Sequence, residues 1–177
     1  GDVEGTIYYS FLAQTHAGGA SSYGGLHLYR DNTEVALIGN NWGAGAFSGQ
    51  AGGTFDLSSA NSDRAGDNWE NLDTDVHLFV VKIDFHADAA DDITIWLDPN
   101  ASLDEVSQAA LSKTVRLAAG DLSFNEVHLR SGNAGRTWTF DELDFGTDWD
   151  SVTPVPEPAT MSLLALGGIA MLRRRKK

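Results

Sequence analysis

Cysteine is missing from all 177 residues, which removes disulfide staples and thiolate metal centres from consideration. Its absence says nothing about compartment, because many exported domains of this size build a core without staples. Basic residues are scarce and unevenly placed. Five of the twelve are the final Arg173, Arg174, Arg175, Lys176 and Lys177, so residues 1–156 hold 7 bases against 24 acids, a charge of about −17. A field of that sign repels phosphate backbones and anionic membrane surfaces and attracts cations, which argues against a nucleic-acid partner. No phosphate-binding loop, dinucleotide fingerprint or nucleophile elbow occurs. The chain opens on Gly1 without an apolar leader, as expected of a piece cut from a longer protein. Proline occurs four times, and three of those fall in the stretch SVTPVPEP at 151–158. Fixed φ and missing donors make that stretch an extended spacer, so a domain boundary belongs there.

One long apolar run follows the spacer. Residues 159–172, ATMSLLALGGIAML, carry no charge and no polar face of the kind an amphipathic surface helix shows. As a helix the run would span roughly 21 Å against a hydrocarbon core of about 30 Å, short for a permanent anchor and close to the apolar part of a transient targeting peptide. The five terminal cations hold their end in the cytoplasm by the positive-inside bias, which places everything before them outside.

The expected organisation is a folded domain over 1–152, a proline-rich motif over 153–158, a hydrophobic helix over 159–172 and a basic end over 173–177. The order of Val155, Pro156, Glu157 and Pro158, then Met161, Leu163, Leu164, Leu166, Ile169, Met171 and Leu172, then Arg173 to Lys177, resembles the PEP-CTERM sorting signal of Gram-negative bacteria. The resemblance implies transient handling by an exosortase, a membrane-embedded cysteine transpeptidase that cleaves near the motif, in organisms that also make exopolysaccharide.

Residues 6–145 show period-two alternation in short runs rich in Val, Ile, Leu, Phe, Tyr and Trp, separated by Gly, Asn, Asp and Ser. This predicts an all-β fold with strands at 6–13, 25–30, 34–39, 54–57, 75–86, 92–98, 122–130 and 136–145, and one surface helical turn within 103–111. In residues 76–85 the set His77, Phe79, Val81, Ile83, Phe85 is apolar from Phe79 onward, which suits a strand in a two-layer antiparallel sandwich. Asp91-Asp92 and the run 132–135 are expected at hairpin turns. The stretches IYYSFLA, GLHLYRDNTEVALIG and VHLFVVKIDFHADAADDITIWLDP, with the ending LSFNEVHLRSGNAGRTWTFDELDFGTDW, resemble concanavalin A-like, laminin-G-like jelly-roll domains. That resemblance covers about 6–152 and implies a closing hairpin at the end of the domain. The family's usual first strand is missing, which would expose a sheet edge.

Several constellations invite chemistry. Glu142-Leu143-Asp144-Phe145 resembles half of the Glu-x-Asp-x-(x)-Glu strand of retaining glycosidases with this fold, but Gly146 and Thr147 follow where a second glutamate is needed. Without a paired acid/base that chemistry fails, so no enzyme is expected. Asp63, Asp67, Asp73 and Asp75 with Asn61, Asn68 and Asn71 offer hard oxygens that would suit calcium, although in irregular spacing; Asp88, Asp91 and Asp92 read as a turn. Trp42, Trp69 and Tyr23 lie in or beside loops, where their faces would stack on pyranose rings, whereas Trp96 and Trp138 lie in strands and belong to the core. His16, His27, His77, His86 and His128 show no ligand spacing and read as surface or strand-filling residues. The expectation is therefore an exported, membrane-tethered and then surface-located sandwich that contacts polysaccharide or matrix without catalysis. The alternatives are a purely structural or protein-interaction domain and, behind it, a glycoside hydrolase.

Overall fold

The structure is a computed structural model that describes residues 4–16, 23–40, 47–51, 73–87, 89–108, 113–118, 122–132 and 137–153. Nine strands and one helical turn occupy them: β1 Gly5–His16, β2 Tyr23–Arg30, β3 Thr33–Asn40, β4 Ser48–Ala51, β5 Val76–Phe85, β6 Asp92–Leu97, α1 Glu105–Gln108, β7 Lys113–Ala118, β8 Glu126–Gly132 and β9 Thr137–Gly146. They form a five-stranded sheet in the order β7-β6-β5-β1-β9 and a four-stranded sheet in the order β4-β3-β2-β8. Every pairing is antiparallel.

Alternation decides which side chains face between the sheets. Tyr9, Phe11 and Ala13 of β1, Phe79, Val81 and Ile83 of β5, and Ile93, Ile95 and Leu97 of β6 meet Leu26 and Leu28 of β2 and Ala36 and Ile38 of β3 in one buried cluster. Phe47 and Leu122 complete it. Phe11 and Phe79 stack with ring centroids 4.9 Å apart, and Phe47 meets Phe79 edge-on at 5.5 Å. Each such buried ring contributes roughly 1.5–3 kcal/mol of transfer free energy, and together they supply the force that holds the layers face to face.

The outer face of the five-stranded sheet carries a second cluster. Tyr8, Val80 and Trp96 pack there under Trp149 and Val152 from the segment that follows β9. Trp149 lies edge-on to Trp96 at 5.1 Å and donates its indole N–H to the Leu103 carbonyl at 3.0 Å. α1 closes the same face, where Tyr8 Oη donates to Glu105 Oε2 at 2.6 Å and Lys82 bridges Asp84 and Glu105. Gln108 is buried and fixes the turn by donating to the carbonyls of Asn100 and Leu103. The described structure thus continues through Thr153.

The differences from the sequence reading have physical causes. β4 and β7 were not expected: SGQA is small and polar, and KTVRLA is short with basic residues among its apolar ones. The strand expected at 54–57 lies outside the described residues. β8 and β9 do not pair as the hairpin expected across 132–135, because β8 pairs with β2 in one sheet and β9 pairs with β1 in the other. The closing pair is a crossover between layers, since β9 finds its apolar partners on β1, where Phe140 opposes Ala13 and Phe145 opposes Tyr9. Among the described residues a tight two-residue turn is made by Asp31-Asn32 between β2 and β3, where φ is 49° and 67°. Those two residue types tolerate the left-handed region better than most.

Candidate functional site

A group of polar and aromatic side chains lies on the outer face of the four-stranded sheet. Leu26 and Leu28 point into the core, so Tyr23, His27 and Tyr29 of β2 point away from it. Register then sets His128 beside His27 and Glu126 beside Tyr29 on the neighbouring β8, with Arg130 on the same face. The His128 and Tyr29 rings stack at 4.5 Å, Tyr23 meets His27 edge-on at 5.9 Å, and the Arg130 guanidinium lies 5.5 Å from the Tyr29 ring centre and 6.0 Å from that of Tyr23.

Glu34, from the start of β3, ties this group together. It accepts a hydrogen bond from Tyr29 Oη at 2.7 Å and lies 3.7 Å from Arg130 Nη1, which also contacts Tyr29 Oη. His27 Nδ1 is 3.0 Å from Glu34 Oε2 but out of line, so both nitrogens of this buried ring lack a hydrogen bond. The inner part of the face, His27 and Leu37, is buried. The β8 side is open, with the side chains of Arg130 and His128 each 41% exposed and Glu126 2.9 Å from His128. Chemically this is a rim of donors and acceptors set against aromatic rings.

A second cluster lies at one end of β5. His77 is buried between two half-exposed carboxylates, with Asp73 Oδ1 2.8 Å from Nε2 and Asp98 Oδ2 2.6 Å from Nδ1. Both ring nitrogens face an acceptor, so only the imidazolium makes both bonds at once. Burial opposes that charge, yet the bonds and charges of Asp73 and Asp98 outweigh it and raise the His77 pKa. Burial likewise opposes ionisation of Asp73, and the bonds from His77 and the Asp75 N–H outweigh it to lower its pKa.

For a histidine whose folded pKa is raised, the stabilisation is complete below the unfolded value near 6.5 and is lost as pH rises through the folded value. The clasp therefore weakens as pH rises above about 6.5. The unfolding midpoint of the wild type is expected to fall as pH rises from about 6.5 to 9, and His77→Gln should flatten this part of the profile. Equal slopes for wild type and variant would show that His77 is not the linked group.

Other carboxylates are structural. Asp91 is buried and accepts the N–H groups of His86 at 2.8 Å and Leu122 at 2.6 Å, which fixes the β5–β6 turn as expected. Asp73 already serves His77 and the Asp75 N–H. The remaining oxygens of the supposed calcium loop, on Asp63, Asp67, Asn61, Asn68 and Asn71, lie outside the described residues, as do Asp88, Trp42 and Trp69. Among the described residues no group of three or more His, Asp or Glu side chains is arranged to hold a metal ion. Glu142 has φ of 50° at a register shift against Ser10 and Leu12, so the bulge breaks the alternation that would align it with Asp144. Trp96 is buried on the outer face of its sheet, and Trp138 packs against the main core, as strand residues should.

Sequence reasoning missed the Glu34-centred group and the His77 clasp. His27, His128 and Arg130 meet only through the β2–β8 register, and Asp98 reaches His77 only through the β5–β6 pair. The signal available was the alternation Y-x-x-x-H-x-Y in β2 with H-x-R in β8, which places aromatic and basic residues on the non-core face.

Val155 to Pro158, the apolar residues Met161 to Leu172 and the basic end all lie outside the described residues. No helix among the described residues is long and apolar enough to cross a membrane. Residues 154–176 match the PEP-CTERM protein-sorting motif. No curated protein and no solved structure matches the chain.

Proposed function

We propose that this chain, which carries a PEP-CTERM sorting signal, uses its exported β-sandwich as a non-catalytic module that binds carbohydrate of the surrounding matrix. The signal marks the protein for export, processing by an exosortase at the membrane, transient anchoring there and a final place at the cell surface or outside the cell. A domain so delivered meets polysaccharide.

The observation that carries the finer reading is the open β8 side of the four-stranded sheet. Arg130 and His128 as donors and Glu126 as acceptor stand beside the partly exposed ring of Tyr23, with Tyr29 buried beneath them. Hydroxyl-rich ligands need such an alternation of donors and acceptors, and the apolar faces of pyranose rings need an aromatic neighbour. The bulge at Glu142 and the missing partner glutamate support binding without hydrolysis.

A glycan array, run with and without calcium, tests this reading. At least one glycan class is expected to bind, with affinity reduced about ten-fold or more by Arg130→Ala, the loss expected on removing a charged hydrogen-bonding group. Silence across neutral and acidic glycans in both conditions would reject sugar recognition.

A further inference from the structure

Two edge strands lie side by side along one flank of the sandwich, β9 ending the five-stranded sheet and β8 ending the four-stranded one. Residues that the strand alternation turns toward the space between the layers stay exposed there. Phe145 opposes the buried Tyr9 and contacts its ring at 5.5 Å, yet is 49% exposed; Leu129 opposes the buried Leu26 and is 42% exposed; Leu143 is 37% exposed. Val106 and Val76, the other exposed large apolar residues among those described, lie elsewhere, on α1 and at the start of β5. The core is open along this flank.

The far edge of β9 has no strand beside it among the described residues. Its side chains alternate in character, with Leu143 and Phe145 apolar and Asp141 and Asp144 opposite Leu12 and Ser10 on the solvent side. Glu142 adds a third acid at the bulge.

We infer that this flank receives an extended protein segment whose side chains alternate between apolar and basic, added to β9 as a further strand. Backbone groups of an unpaired edge supply the ladder bonds of such strand addition, and side-chain pockets supply its selectivity. Apolar residues of the incoming segment would cover Leu143, Phe145 and Leu129, and its Lys or Arg residues would lie beside Asp141 and Asp144. A second copy of this chain is the poorer occupant. Pairing β9 with itself sets Asp141, Glu142 and Asp144 against their own kind, and directly opposed like charges destabilise a sheet. The charge of the domain adds repulsion at longer range. This inference concerns a different surface from the β2–β8 face and stands whether or not that face binds sugar.

Fluorescence anisotropy of the full chain with a short synthetic peptide of alternating valine and lysine tests it. Two comparison peptides are needed: one alternating valine and glutamate, and one with the valines and lysines in separate blocks. The valine–lysine alternation should bind more tightly than both, and should weaken about ten-fold in the double variant Asp141→Lys, Asp144→Lys, since each reversal converts an attractive cross-strand pair into a repulsive one. Both substitutions lie on exposed positions, so an unchanged unfolding midpoint is the check on folding. Phe145→Ser should weaken binding through the apolar side alone. Equal affinity for the blocked peptide, or no change in the double variant, would overturn strand addition. Sedimentation showing a dimer that Phe145→Ser disperses would instead give the flank to a second copy and overturn the basic partner.

Discussion

A methyl group added at Gly25 is expected to destabilise the domain by about 3 kcal/mol or more, a large fraction of what a domain of this size has. Gly25 and Gly39 oppose each other across β2 and β3, with φ of 155° and 145°. A Cβ on Gly25 would stand 2.1 Å from the Ile38 carbonyl oxygen, and one on Gly39 would stand 2.3 Å from that of Gly24. Those contacts are with backbone, so no rotamer change relieves them, and both residues lie in a region of φ where side chains are strained in any case. Gly5 separates the two costs, because its φ is 145° and nothing lies within 4 Å of its Cβ position. Urea unfolding of Gly25→Ala beside Gly5→Ala measures the difference. Gly5→Ala should lose only the cost of the strained backbone and Gly25→Ala distinctly more, and similar losses would remove the close approach as the cause.

Phe79→Ala is expected to cost about 3–5 kcal/mol, the usual result of emptying an aromatic site in a packed interior. The ring is fully buried, stacked on Phe11 and covered edge-on by Phe47, so β5 loses contact with β1 and with the residue before β4 together. Val106→Ala on α1 is the comparison: Val106 is 85% exposed and its truncation should stay within about 0.5 kcal/mol of the wild type. A Phe79→Ala loss below about 1 kcal/mol would mean that the two layers are not packed as described.

The long strands were legible because both of their signals agree. β1, β5, β6 and β9 are rich in β-branched and aromatic residues, and their alternation matches a half-buried sheet. β4, four small and polar residues, carries no such signal, although it pairs with β3 and sets Gly49 beside Ile38. Periodicity also assigns faces without naming partners. The alternation in β2 separates a core face from a non-core face, but does not show that β8 lies beside it while β9 crosses to the other sheet. The Glu34 group and the His77 clasp depend on that register. Their members are scattered from Tyr23 to Arg130 and from Asp73 to Asp98, distances in sequence at which no spacing rule operates. The sorting tail is the reverse case. Its meaning lies in the order of a proline-glutamate-proline step, an apolar stretch and a basic end, so it was readable without any fold and agrees with the motif matched at 154–176.

The account rests most heavily on that tail being a temporary device that delivers an acidic sandwich across the membrane. Intact-mass measurement of the protein released from the surface of its own cells tests it most directly. The predicted mass lacks at least Met161 to Lys177, with a new C-terminus close to Pro156, Glu157 and Pro158. A mature species that retains Lys177 would contradict processing, and with it the delivery of the sandwich that the rest of the account presumes.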